Sequence, residues 1–414
     1  MSRNLAKVAV LFHRLGPYHL ARIEAAARQF SIVAVESSGV DETYAWDKVS
    51  DTARFERVTL FEKADALKLP AAEVVARMEA VLDQVKPSVV VIPGWAGAAA
   101  LGALGWCGRH RIPAIFMSES TAGDAARSYW REAVKRRMVA LGSAALVGGT
   151  PHQDYMVQLG MPANRVFMGY DAVDNDYFAA QVAKVHGRET EVRQQYQLPE
   201  HYFLASARFI QKKNLATLID AYATYRQLRA KPGAESPAPA VWDLVLLGDG
   251  ALRPELCQRI ASHGLEPHIH LPGFKQYHEL PAYYGLAGTF IHASTTEQWG
   301  LVVNEAMASR LPVLVSRRCG CAPDLVRDGV NGFGFDPADP GQLAQLMLQV
   351  SAPAFPRAAF GTASQTIIAD WGPGRFAQGL SQAVSVAQAT PPPAFSLLSK
   401  WLIGKLSERK ASFE

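Results

Sequence analysis

The sequence has little cysteine, little net charge and no long apolar run. Its four cysteines, Cys107, Cys257, Cys319 and Cys321, are irregularly spaced among 414 residues. No CxxC pair is present and no disulfide framework follows from that spacing, so a reducing cytoplasm is expected. Cys319-Gly320-Cys321 has no second ligand pair to complete a metal site. The 42 basic and 38 acidic side chains leave a net charge of +4. That excludes a dedicated nucleic-acid binder, which needs a concentrated basic surface. No window approaches the ~18 consecutive apolar residues of a membrane span. The early run KVAVLF is too short for a secretory signal and is followed by His13 and Arg14, so it reads as a first strand. A soluble or peripheral protein is expected. With 49% hydrophobic and 19% charged residues the chain is a folded one. Its length suits two domains of about 150–200 residues each.

Short β-branched runs alternate with amphipathic stretches. KVAVLF (7–12), SIVAVES (31–37), SVVVIPG (88–94), PAIFMSE (113–119) and AALVGG (144–149) read as strands. Helical patterns such as HLARIEAAARQF and AAEVVARMEAVLDQVK lie between them. This βα alternation predicts a parallel sheet covered on both faces. The strands pause near GYDAVDNDYFAAQ (169–181) and then restart with YFLASAR (202–208), WDLVLLGDG (242–250), HIHLPGF (268–274), GTFIHAS (288–294) and LPVLVS (311–316). Two α/β domains are therefore expected, 1–172 and 173–375, with helices in 376–414 returning to the first. KPGAESPAPA (231–240) reads as a Pro-rich surface loop in the second domain.

The stretch ASTTEQWGLVVNEAMASRLPVLVS (293–316) reads as strand end, loop, helix and strand. It places Glu297 just before a helix and Glu305 in that helix's second turn. The N–H groups of Gly300, Leu301 and Val302 would head the helix, where its dipole favours an anion. Gly300 has no Cβ, so a ligand could approach its backbone. Ionised carboxylates accept from hydroxyls and repel phosphate. A ligand with phosphate in the middle and a diol at each end satisfies both demands. That ligand is a nucleotide sugar, bound in the crevice beyond the strands' carboxyl ends.

Glu297 and Glu305, with seven residues between them, resemble the E-x7-E motif of retaining glycosyltransferases of the GT-B fold, family 4. The resemblance runs along the second domain. ARFIQKKNLATLIDAY (207–222) is similar to the family's Arg-x4-Lys segment, with Arg208 and Lys213 in the diphosphate positions. LVLLGDGALRPEL carries the glycine turn at Gly248, and the Gly273-Phe274 turn stands where the base is contacted. CGCAPDLVRDGVNGFGFDP is similar to the segment after the motif, with Asp324 where Glu is usual. The resemblance implies an α/β fold of GT-B architecture, two Rossmann-like doubly wound domains facing a cleft. It implies that Glu297 contacts the sugar, Glu305 the ribose, and Arg208 and Lys213 the departing diphosphate. No cofactor is implied beyond a UDP- or GDP-linked sugar as co-substrate. The acceptor would be a glycan or lipid-linked hydroxyl in cell-surface polysaccharide synthesis. An inactive nucleotide-sugar-binding subunit or a sugar-nucleotide epimerase of the same fold is the alternative.

The first domain is less regular. Gly16 stands where the family carries a glycine-rich loop, here stiffened by Pro17. His13, His19 and Arg127 are candidates for acceptor contact. Ser118-Glu119-Ser120 replaces a histidine that many relatives carry, which makes Glu119 a candidate to orient the acceptor hydroxyl or take its proton. Asp174-Asn175-Asp176 looks like a metal-binding DxD but falls at the join between domains, so it is read as structural and no metal is expected. REAVKRRMVALG (131–142), with Lys135, Arg136 and Arg137, and the tail FSLLSKWLIGKL around Trp401 suggest contact with an anionic membrane surface.

Overall fold

The computed structural model describes residues 5–40, 54–124, 127–230 and 240–408. Most of the Pro-rich stretch at 231–240 lies outside them. The chain divides into two compact units, one of Met1–Ala172 with Pro373–Glu414, the other of Val173–Gly372.

Unit 1 is built on seven parallel strands: β1 (Lys7–Phe12), β2 (Ser31–Ser38), β3 (Glu56–Phe61), β4 (Val89–Pro93), β5 (Ala114–Ser118), β6 (Ala144–Val147) and β7 (Val166–Met168). Their spatial order is β3-β2-β1-β4-β5-β6-β7. Alternate residues of each central strand enter opposite cores. Leu11, Ile92 and Phe116 pack with the helices Ala71–Val85, Ala98–His110, Tyr129–Val139 and Leu397–Ser407. Val10, Val91 and Ile115 pack with the helices Pro17–Ala26 and Pro373–Ala389. Both faces are buried, which is why these strands read as continuous apolar runs. Each such side chain contributes about 1.5–3 kcal/mol on burial.

Unit 2 has six parallel strands: β8 (Tyr202–Ser206), β9 (Asp243–Leu247), β10 (Ile269–Gly273), β11 (Thr289–His292), β12 (Val313–Ser316) and β13 (Gly332–Phe335), in the order β10-β9-β8-β11-β12-β13. Strand order reverses direction between β1 and β4 in unit 1 and between β8 and β11 in unit 2. At such switch points the crossover loops part and leave a crevice at the strands' carboxyl ends. Arg208 and Lys213 follow β8, and Glu297 follows β11. Glu297, singled out by its position, and Arg208 and Lys213, singled out by the resemblance, thus flank the switch point of unit 2.

Candidate nucleotide-sugar site

Two loops are stitched together at that point. After β8 the chain makes a 3-10 turn, Gln211–Lys213, ended by Asn214 in the left-handed region at φ 56°. The Asn214 side-chain amide donates to the carbonyls of Ala293, 3.1 Å, and Pro337, 2.8 Å. The Thr295 N–H donates to the Lys212 carbonyl at 2.9 Å. The loop after β12 joins them, with the Gly320 N–H donating to the Glu297 carbonyl at 2.9 Å. Backbone bonds therefore fix where Lys213 and Glu297 emerge, and their side chains form an ion pair on Glu297 Oε2.

That oxygen has two further neighbours. Ser294 Oγ donates to it at 3.2 Å, and His292 Nε2 lies 3.3 Å away. Burial raises the Glu297 carboxyl, but His292 and Lys213 outweigh it and hold the group below the ordinary carboxylate range. Burial lowers the His292 imidazole; Glu297 pulls it back up and Lys213 pushes it further down, for a net lowering. The ring is therefore neutral at pH 7. Sequence reasoning missed His292 and Ser294. Their signal was position alone: both stand at the carboxyl end of a strand beside the switch point.

Gly300 precedes the helix Leu301–Ala308 with φ 105°, a conformation that favours glycine. A side-chain carbon there would lie 3.4 Å from His292 Nε2 and 3.5 Å from Glu297 Cγ. Leu301 and Val302 head the helix, where N–H groups have no intrahelical acceptor. Arg208 is half-buried on the same β8 turn as Lys213.

Glu305, Gly248, Gly273 and Phe274 are also expected at the donor. Glu305 is fully enclosed, and its Oε2 accepts from the Tyr284 hydroxyl at 2.6 Å. The structure thus holds Glu305 against a tyrosine. Gly248, at φ 118°, is required by packing: a side-chain carbon would lie 1.9 Å from the Ala207 carbonyl oxygen. Gly273, at φ 83°, faces open space, and the neighbouring Phe274 is 40% exposed.

In unit 1, Gly16 has extended backbone and caps the helix Pro17–Ala26. Its N–H donates to His19 Nδ1 at 3.1 Å, and the His19 ring packs on Phe12 with centroids 4.5 Å apart. Burial, then the Arg22 charge, lowers His19 to about 3. His19 is a neutral capping residue with one nitrogen committed. Arg127 is bonded within unit 1. It donates to the carbonyls of Thr121, 2.7 Å, and Ala122, 2.9 Å, and to Glu132, 2.9 Å, and lies over the Tyr155 ring. It braces its own loop. His13 Nε2 lies 3.5 Å from Asp65. Glu119 is half-buried just past β5. Burial first, and then its charge, push the Tyr170 hydroxyl upward.

Asp174 caps the helix Asn175–Val185, accepting from the Tyr177 N–H at 2.9 Å. Among the described residues no cluster of three or more metal-ligating side chains occurs. The basic stretch forms the helix Tyr129–Val139. Lys135 is tied to Glu132 at 3.1 Å and to the Tyr155 hydroxyl at 2.8 Å, so it belongs to the braced side of this helix. Tyr129, Trp130, Arg136 and Arg137 share the exposed face, and Trp401 is 59% exposed. No helix among the described residues is long and apolar enough to cross a membrane.

Residues 188–365 match the family model described as glycosyl transferases group 1. The chain is similar to alpha-monoglucosyldiacylglycerol synthase of Acholeplasma laidlawii, 32% identical over 130 residues, covering 31% of this chain and 30% of that protein. It is also similar to the amylovoran biosynthesis glycosyltransferase AmsK of Erwinia amylovora, 31% identical over 154 residues, covering 36% and 35%. The chain thus spans about a third of these curated relatives. Among solved structures, Anabaena HepE in complex with UDP superposes with a TM-score of 0.69 at 18% identity, covering 92% of this chain and 100% of that one. Sucrose-phosphate synthase from Thermosynechococcus elongatus gives 0.72 at 17% identity, covering 93% and 99%. With two parallel-sheet units, this likeness identifies the fold as GT-B.

Proposed function

We propose that the chain is a retaining glycosyltransferase of family 4, moving a sugar from a UDP- or GDP-linked donor to a hydroxyl of a glycan or lipid-linked acceptor in cell-surface polysaccharide or glycolipid synthesis. One observation carries the reading: Lys213 and Glu297 meet at the switch point beside the Gly300 helix start. A diphosphate would lie between that helix start and the cations of Lys213 and Arg208. Glu297 would accept from sugar hydroxyls and Glu305 from the ribose. As the sugar–phosphate bond breaks, negative charge grows on the diphosphate, where preorganised cations act most strongly. The departing phosphate oxygen would take the acceptor's proton on the same face, so the anomeric configuration is kept. Glu119 and His13 are the residues we place nearest the acceptor. Because cationic side chains carry the charge, we expect turnover without a bound metal.

Thermal shift against UDP-, GDP- and ADP-sugars is the first test. A ligand at 100 times its dissociation constant stabilises the native state by about 2.7 kcal/mol. No shift with any sugar nucleotide would remove the reading. Binding without transfer or donor hydrolysis would instead mark an inactive subunit. Product anomer, read by NMR, decides retention.

We also assign the helix Tyr129–Val139 to an anionic membrane surface, which would place the protein peripherally at the inner face of the membrane. Tyr129 and Trp130 are 81% and 76% exposed, and such amphipathic rings favour the bilayer interface. Arg136 and Arg137 lie on the same face and form no ion pair among the described residues. Co-sedimentation with phosphatidylglycerol vesicles should fall in Trp130→Ala and in Arg136→Glu/Arg137→Glu. Equal recovery with and without vesicles would remove the assignment.

A further inference from the structure

We propose that His292 is the positioning residue for Glu297: its Nε2–H, with Ser294, holds Oε2 and leaves Oε1 to a hydroxyl of the ligand. The inference rests on the reading of Glu297 as the sugar-facing carboxylate. Three groups converge on Oε2: Lys213 Nζ, Ser294 Oγ at 3.2 Å and His292 Nε2 at 3.3 Å. Oε1 has no partner among the described residues, and the Glu297 side chain stays 12% exposed. A carboxylate clamped through one oxygen presents the other in a fixed direction, which is what hydroxyl recognition needs.

The ring's surroundings determine which nitrogen can donate. His292 ends the central strand β11 and is 3% exposed. The groups facing it are Glu297, Lys213 and Ser294, with the Gly300 backbone close against the ring. The Cys319 thiol stands nearby, raised first by burial and then by Glu297, and is protonated. A neutral imidazole has one N–H. If Nδ1 carried it, the Nε2 lone pair would face a carboxylate oxygen. With the hydrogen on Nε2, the contact becomes a hydrogen bond to a charged acceptor.

Two measurements on the full chain test this. Imidazole 15N shifts without ligand should show the neutral Nε2–H form of His292, and its Nε2 shift should move in Glu297→Gln. An Nδ1–H form, or no response to Glu297→Gln, would overturn the proposal whether or not the protein binds sugar nucleotides. Calorimetry should then compare UDP with UDP-glucose, and GDP with GDP-mannose as a second pair. His292→Phe should lower the preference for the sugar nucleotide over its diphosphate by about 10-fold or more, the loss of one bond to a charged group. His292→Gln, whose amide can donate to the same oxygen, should stay within about 3-fold of wild type. Equal losses in both variants would assign His292 to packing and refute the proposal. A wild-type chain that binds neither sugar nucleotide would fail the glycosyltransferase reading, while the 15N result still decides the His292–Glu297 contact.

Discussion

Lys213→Met keeps the aliphatic stem of the residue and removes its charge from Glu297. Both side chains are nearly enclosed, 13% and 12% exposed. Removing one partner of a fully buried pair costs about 3–5 kcal/mol. Glu297 keeps Ser294, His292 and some solvent, so about 2–3 kcal/mol is expected here. In a domain of this size that lowers Tm by about 4–12 °C. The pH dependence follows from the lowered Glu297 carboxyl. Stability from a depressed carboxyl is fully present above its unfolded value of 4.5 and is lost as pH falls through the lower folded value. In the methionine variant burial is less opposed, so the carboxyl rises. The variant's deficit should therefore be full near pH ~7 and shrink on acidification below pH ~4.5. Urea midpoints for wild type, Lys213→Met, Glu297→Gln and the double variant measure it. The double variant should recover most of the loss, because no unpaired charge remains. Strictly additive losses, or a deficit independent of pH, would refute the reasoning. Under the proposed function, turnover of Lys213→Met falls by ~10²-fold or more. Near-wild-type turnover in the folded variant would end the diphosphate assignment.

Tyr284→Phe removes one donor to a fully enclosed Glu305; we expect a loss of about 1–3 kcal/mol in urea denaturation and, under the proposed function, a donor KM that rises more than kcat falls. His19 is neutral in the fold down to about 3 against 6.5 when unfolded, so stability should decline as pH falls through that window, and His19→Gln should flatten the slope. Asp174→Ala should lose about 1 kcal/mol as a helix cap while turnover stays insensitive to EDTA; activity lost to EDTA and restored by Mg²⁺ or Mn²⁺ would overturn metal independence. Gly248→Ala, forced against the Ala207 carbonyl, should cost about 3 kcal/mol or more, against about 1–2 kcal/mol for Gly273→Ala, where the strain is in φ alone; equal midpoints for the two would contradict this.

The central strands were legible because burial on both faces leaves no polar alternation in their sequences. The three strands that escaped, β3, β7 and β13, are all sheet edges. ERVTLF in β3 is half-exposed, with Arg57 and Thr59 turned to Glu36. VFM in β7 is only three residues long. GFGF in β13 lacks β-branched residues, and a side-chain carbon at Gly332 would lie 1.8 Å from the Val313 carbonyl oxygen. Packing chose glycine there against strand propensity. At the site, Glu297 was legible because it stands between a strand end and a helix start, and Lys213 through the resemblance of its segment to the Arg-x4-Lys pattern. Ser294, His292 and Tyr284 were not, because what they do depends on which side chain folding brings against them. His19, Arg127 and Gly248 carry structural contacts that their sequence positions did not announce. A cap, a loop brace and a close backbone contact use the same residue types as a binding site.

The Lys213–Glu297 pair also has to be reconciled with a donor that needs both residues separately. In the proposed complex the diphosphate attracts Lys213 while a sugar hydroxyl approaches Glu297, so the pair is loosened when the ligand enters. A carboxylate held by Lys213 alone would then turn freely, and the entropy of fixing it again would oppose binding. Ser294 and His292 remain on Oε2 after the lysine turns away. Neither is charged, so neither competes with Glu297 for Lys213 or draws the diphosphate toward the sugar end. A histidine held neutral by burial is thus better suited to this place than a second lysine would be.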